Sequence, residues 1–361
     1  MKTSDKKTIG ILTSGGDAPG LNAAIRGIAR TAMEEYGMRV LGIKEGFRGL
    51  IDGNAEEITS YELAGLLTRG GTMLGTSREK PFKNPEKDPK TGKTPVEAII
   101  NNYKKFGLDA LCVLGGNGTN TTGHLLYKEG LNIIGLPKTI DNDLVGTDVT
   151  FGFHSAVNVA TEAIDRLHTT AHSHNRIMVI EVMGHKAGWL GLYAGIAGGG
   201  DVILIPEIPY NINSISRHLL KRKQEGKNFS IVVVAEGAKN LEEAALSKKE
   251  FKKLRSDMNY SIGYRVAKEL ESATGLESRV TVLGYLQRGG TPVPYDRVLA
   301  TRLGVHAAHM AARGEFGKMV AVQNETICAV PLEEVSGQIK KVPFDHELIK
   351  AGRAVGTCFG D

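Results

Sequence analysis

Twice in this chain an apolar run stops at a cluster of glycines and gives way at once to residues with helical spacing. Thr8 to Thr13 breaks into Ser14-Gly-Gly-Asp-Ala-Pro-Gly20, after which Leu21 to Met33 carries apolar residues on one face. Ala110 to Leu114 ends in Gly115-Gly-Asn-Gly-Thr-Asn120, followed by a helix expected over Thr121 to Glu129 with Thr119 or Asn120 as its cap. Strand, glycine loop, helix is the unit of a parallel sheet, because parallel neighbours need a crossover and a helix supplies it. The glycines let backbone N–H groups approach an anion at the helix N-terminus, where the macrodipole adds to the attraction. One such loop is common in folds that bind nothing; two on parallel strands define a cradle for a nucleotide or diphosphate. The fold class expected is α/β, with two doubly wound Rossmann-like domains and largely parallel sheets.

The rest of the chain keeps that rhythm. Val40 to Ile43 reads as a strand and Leu63 to Leu67 as a short helix before Arg69-Gly-Gly-Thr-Met-Leu-Gly-Thr-Ser-Arg78, a glycine-hinged loop suited to closing over phosphates. Glu79 to Lys93, dense in Lys, Pro and Asp, is a surface excursion, and Val96 to Phe106 a helix. The apolar run Leu131 to Gly135 leads into Gly135-Leu-Pro-Lys-Thr-Ile-Asp-Asn-Asp143. Asp141 and Asp143, two apart on extended backbone, would point the same way and serve one site. An isolated pair of this kind is an ordinary turn; the neighbouring glycine loops turn it into a candidate for chemistry. Arg26 and Arg30, one helical turn apart, share a face and read as solvated or as an anion site.

Further helices are expected over His154 to Ala171, Gly188 to Ala197, Ile215 to Gln224 and Tyr260 to Glu271. Strands are expected over Arg176 to Val182, Val202 to Ile205, Ser230 to Val234 and, as the last, Arg279 to Leu283. These strands feed loops with polar cargo: Met183-Gly-His-Lys186, Pro206-Glu207, Glu236-Gly237 and Gly284-Tyr-Leu-Gln-Arg-Gly-Gly290. Basic residues near these loops suggest a second phosphate, on an acceptor. Taken singly, Arg176, Arg279 and Arg288 each read as half of a surface ion pair.

Composition excludes several classes. With 361 residues, 41% hydrophobic and 24% charged, the chain has mass for two cores. A net charge of +5 is spread along the sequence, a mild bias towards small anions and no sign of nucleic-acid binding. Three cysteines, Cys112, Cys328 and Cys358, have no paired spacing for zinc or disulfides. No apolar run approaches a membrane span, and Met1 to Lys7 is a polar tail without the core of a signal peptide, so a cytoplasmic placement is expected.

Five stretches in order, TSGGDAPGLNAAIRG (13 to 27), GGTMLGTSR (70 to 78), PKTIDND (137 to 143), EVMGHKAGWL (181 to 190) and GYLQRGGTPVPYDR (284 to 297), resemble the 6-phosphofructokinases. The likeness covers nearly the whole chain. It implies a two-domain enzyme that moves a phosphoryl group onto the 1-hydroxyl of fructose 6-phosphate with Mg2+, assembled as a homotetramer whose sugar sites span subunits. It implies a donor domain over residues 1–152 and 287–337 and a fructose 6-phosphate domain over 153–286 and 338–361. By the same likeness Asp141 is the base for the sugar hydroxyl, and Thr139, Lys138 and Asp143 orient or neutralise the transferred phosphoryl and its metal. The donor side would use Gly15, Arg78, Gly116, Asn117, Gly118 and Thr119. The sugar side would use Thr139, Asp141, Met183, Gly184, His185, Glu236, Tyr285 and Arg288, with Arg176 and Arg279 from a neighbouring subunit.

Four positions depart from the family's usual pattern. His185 stands where many relatives have arginine, and Tyr285 where many have histidine. Asn117 replaces an aspartate that serves magnesium, leaving a neutral oxygen as ligand beside Asp143. Gly118 resembles ATP users, whereas Lys138 resembles users of pyrophosphate. Weighting the room left by Gly118 above the charge of Lys138, the expected donor is ATP. Pyrophosphate is the alternative, and a catalytically weak nucleotide-sensing subunit is a rival from another class. An NAD or lipid kinase finds no support in the acceptor loops.

Overall fold

In the computed structural model, residues 6–257 and 261–361 are described. Tyr260, the expected start of one helix, and most of the N-terminal tail lie outside them. The chain forms two compact units, Met1–Ser155 with Arg288–Ile339, and Ala156–Gln287 with Lys340–Asp361. The strands are β1 (Thr8–Thr13), β2 (Arg39–Ile43), β3 (Ala55–Glu57), β4 (Ala110–Gly115), β5 (Ile133–Pro137), β6 (Ile177–Val182), β7 (Val202–Leu204), β8 (Ser230–Ala235), β9 (Ser278–Val282), β10 (Lys318–Gln323) and β11 (Thr326–Pro331).

The first unit carries a seven-stranded sheet in the order β11-β10-β5-β4-β1-β2-β3. The edge strands β3 and β11 run antiparallel to their neighbours and the remaining pairings are parallel. The inner strands β1, β4 and β5 are buried at every position, which is why they read as unbroken apolar runs. Leu12, Val113, Ile133 and Met319 share a core with Phe47, Leu50 and Tyr103. Helix Leu21–Glu34 lies against helix Pro294–Arg313, and two glycines let the backbones meet. A Cβ on Gly27 would stand 2.8 Å from the Thr301 carbonyl oxygen, and one on Gly304 2.5 Å from that of Ala24.

The second unit carries a four-stranded, all-parallel sheet in the order β7-β8-β6-β9. Ile177, Val179, Val202, Leu204, Val232 and Val234 pack there with Leu219, Val266 and Leu270 from flanking helices. Both sheets bear out the expected α/β class.

Several local expectations need correction. Leu63 to Leu67 is not an α-helix; a single 3-10 turn, Leu66–Thr68, overlaps its end. The second glycine loop ends one residue after β4, because the helix spans Asn117–Lys128 with Gly116 as N-cap and no side-chain cap. Thr119 bonds the Ser14 carbonyl oxygen instead, and Asn120 donates to Gly115 O at 2.9 Å. The strand ending in β9 is not the last: β10 and β11 follow and complete the first unit's sheet. Short elements with few apolar positions, such as helix Gly46–Asp52 and β3, carried too little periodicity to be read. Among the described residues no helix is long and apolar enough to cross a membrane.

Candidate functional site

In the first unit the strand-end loops are tied to one another through backbone groups and threonine hydroxyls. Gly15 N donates to Ser77 O at 2.9 Å, Thr76 Oγ1 to Gly15 O at 2.7 Å and Thr13 Oγ1 to Gly75 O at 2.6 Å. The loop carrying Arg78 is thereby held against the first glycine loop, while the Arg78 side chain itself is exposed. Thr119 links the second glycine loop to the first through Ser14 O at 3.3 Å.

Lys138 follows β5 directly and is buried, with its Nζ donating to the Gly16 carbonyl oxygen. Arg288 reaches the same loop, donating from Nη1 to Asp17 O at 2.9 Å. Glycine at 16 makes this possible, since a Cβ there would lie 2.6 Å from that guanidinium nitrogen. Burial, reinforced by the charge of Arg288 and opposed by Asp141, Asp17 and Asp143, pushes the Lys138 amine down to about 8. Two cations and three carboxylates therefore surround one backbone cradle.

Asp141 and Asp143 are both buried, on the turn after β5. The extended-backbone argument for their common direction fails, because Asn142 between them has φ of 51°, in the left-handed region. Asparagine tolerates that region better than most residues, so its identity was a readable signal for the turn. Asp141 N donates to Thr139 Oγ1 at 3.1 Å, fixing the start of the same turn.

Asn117 directs its side chain away from a purely ligating role. Its amide donates to the Gln338 carbonyl oxygen and its Oδ1 accepts from Thr121 Oγ1 at 3.3 Å. Among the described residues no three His, Cys, Asp or Glu side chains form a ready metal cage. The buried carboxylates of Asp141 and Asp143 would suit a magnesium ion that keeps water and phosphate oxygens and takes one or two carboxylates from protein.

In the second unit the loops after β6 and β8 meet. His185, with φ of 51°, donates its N–H to Glu236 Oε1 at 2.8 Å. Gly184 has φ of 135°, and a Cβ there would lie 2.7 Å from Ala187 O. Met183 N donates to Gln287 Oε1 at 3.3 Å, and Arg255 donates to Glu236 O and Ala238 O at 3.1 and 2.9 Å. Met183, Gly184, His185 and Glu236 are thus brought together, with Tyr285 on the surface at 71% exposure. Arg176 and Arg279 are not with them. Both pair with Glu277, Arg176 through Nε at 2.6 Å, at the other end of the sheet.

The family model described as Phosphofructokinase matches residues 8–311. The chain belongs to the phosphofructokinase family. It is 64% identical over 364 residues to an ATP-dependent 6-phosphofructokinase of Spirochaeta thermophila, covering 100% of both chains. It is 53% identical over 352 residues to ATP-dependent 6-phosphofructokinase 3 of Bacteroides thetaiotaomicron, covering 98% of this chain and 99% of that one. A solved phosphofructokinase structure from Saccharomyces cerevisiae superposes with a TM-score of 0.79 at 33% identity, over 91% of this chain and 45% of that longer one. The family and fold implied by the five motifs are borne out. For a phosphofructokinase the geometry at Gly118 bears on the donor: beyond its own stretch of helix, a Cβ built there meets no atom within 4 Å among the described residues, so the glycine faces open space.

Proposed function

We propose that this chain transfers a phosphoryl group from ATP to the 1-hydroxyl of D-fructose 6-phosphate, giving fructose 1,6-bisphosphate and ADP. The observation that carries the donor is the open space at Gly118, which leaves room beside the phosphate loops for a nucleotide. The names of the two close relatives support the same reading.

Phosphoryl transfer asks a protein mainly for positioning and charge neutralisation. The loops of Gly15, Gly116, Gly118 and Thr119 receive the donor phosphates, and Arg78 closes on them. Lys138, charged below its lowered pKa, neutralises the phosphoryl in flight. Asp141 takes the proton from the sugar hydroxyl, with Thr139 positioning the turn. Asp143, with Asn117 as a neutral neighbour, would hold magnesium, which supplies Lewis-acid stabilisation of the phosphate oxygens when bound. Met183, Gly184, His185, Glu236, Tyr285 and Arg288 bind the sugar, and Arg176 and Arg279 of a neighbouring subunit its 6-phosphate, in a cytoplasmic homotetramer.

Pyrophosphate as donor is favoured by one observation, the buried amine of Lys138 bonded to the first glycine loop. A coupled assay of the purified protein at fixed magnesium, with ATP and with pyrophosphate, tests both. Turnover with ATP is expected; a preference for pyrophosphate above about tenfold in kcat/KM reverses the assignment, since that is more than 1.4 kcal/mol of transition-state discrimination. Turnover with neither donor returns the chain to the sensing reading.

A further inference from the structure

The turn bearing Asp141 is held from behind by a residue that none of the five motifs contains. Thr150 has no exposed surface. Its hydroxyl donates to Thr139 O at 2.8 Å, and its N–H donates to Asn142 Oδ1 at 3.0 Å. Those two partners bracket Asp141 on either side. The next residue continues the clamp, with Phe151 N donating to Pro137 O at 3.2 Å. The returning segment is itself fixed a few residues on. Ser155 donates from both N and Oγ to Asp296 Oδ2, each at 2.7 Å, and accepts from Val293 N at 3.0 Å.

We propose that Thr150 and Asn142 are positioning residues for Asp141, the left-handed backbone of Asn142 setting the turn and the Thr150 clamp locking it. The inference rests on the activity proposed above and deepens it. A general base must meet its proton within a few tenths of an ångström, and a turn with a left-handed residue holds that geometry only when its surroundings over-determine it. Thr150 does so with two bonds from one residue, made where water cannot replace them. Asn142 contributes twice, through its tolerance of positive φ and through the amide oxygen that Thr150 engages.

The test uses variants that separate these contributions. Thr150→Val keeps the shape and removes the hydroxyl; Thr150→Ser keeps the hydroxyl; Asn142→Gly keeps the backbone conformation and removes the acceptor. We expect Thr150→Val and Asn142→Gly each to lower kcat by roughly 10 to 100-fold while KM for both substrates stays within about threefold, the split expected for lost alignment. Thr150→Ser should recover kcat to within about threefold of the parent, and the double variant should lose less than the product of the singles because both act on one turn. A Thr150→Val protein with parental kcat, a loss confined to KM, or failure of serine to rescue overturns the inference. Should Thr150→Val not fold, Asn142→Gly carries the same expectation and the same refutation. A parent inactive with either donor overturns the proposed activity and this inference with it, whereas an active parent with undiminished variants overturns the inference alone.

Discussion

Arg176 and Glu236 stand at opposite ends of one four-stranded sheet. Arg176 precedes Ile177, which pairs with Ser230 at the start of β8, whereas Glu236 follows Ala235, which pairs with Val182 at the end of β6. Six strand residues separate the two levels, roughly 20 Å at the usual rise. Arg279 pairs with Met178, at the same end as Arg176. One copy of the unit cannot place these arginines and the Glu236 loop on one phosphosugar.

Complementation between subunits follows from the shared sites proposed above. Asp141→Ser and Arg279→Ala proteins, each nearly inactive, should regain activity when mixed under conditions of subunit exchange, because some hybrid sites carry neither lesion. The measurement is turnover against mixing ratio, with exchange verified by mass. Exchange without recovery would argue against shared sites.

Asp141→Ser alone should bind fructose 6-phosphate within about tenfold of the parent while turnover falls by roughly 10² or more, the scale of a lost general base. Binding by calorimetry and turnover by the coupled assay separate the two effects. Near-parental turnover would remove Asp141 from the role.

At Gly118 the test is a side chain. Gly118→Asp would fill open space and bring a negative charge beside donor phosphates, so ATP use should fall by about 10² or more in kcat/KM. Lys138→Gly should lower turnover with either donor without changing preference. An aspartate at 118 that leaves ATP use intact would show that the nucleotide does not occupy this space.

Lys138 makes the pH dependence predictable in sign. Its amine is pushed down to about 8 from 10.5, so the charged form that neutralises phosphate is lost as pH rises through about 8. In the free enzyme kcat/KM should therefore decline above that pH, and Lys138→Met should abolish the decline while lowering the plateau. Stability runs the other way: the unfolded lysine binds more protons between about 8 and 10.5, so this group's contribution to folding grows across that window. A decline that survives in Lys138→Met would assign it to another group.

Much of the first unit could be read from the chain because β1, β4 and β5 are buried on both faces, and burial writes unbroken apolar runs next to the glycine loops. The role of Thr150 could not. Its bonds to Thr139 and Asn142 span 11 and 8 residues, and nothing in composition or spacing marks such a return. Helix Pro294–Arg313 was missed although its 20 residues are long, since many of its buried positions are alanine and glycine and offer a weak apolar pattern. The bond from Arg288 to Asp17 O depends on the absence of a side chain at Gly16, a steric fact visible only in three dimensions.

The strand order of the first sheet also dictates when it can be completed during synthesis. β5, which delivers Lys138 and the Asp141 turn, is flanked on one side by β4 and on the other by β10, which pairs through Lys318 and Met319 with Ile134 and Gly135. A nascent chain that has just emitted β5 gains one bond on that edge, from Phe151 to Pro137 O, but the strand that pairs with Ile134 and Gly135 arrives only about 180 residues later. During that interval β5 is an exposed, apolar, hydrogen-bonding edge of the kind that recruits other chains. A ribosome stalled or a message truncated before residue 318 would release a polypeptide that holds every residue of the 137 to 143 motif and lacks the strand that shields it.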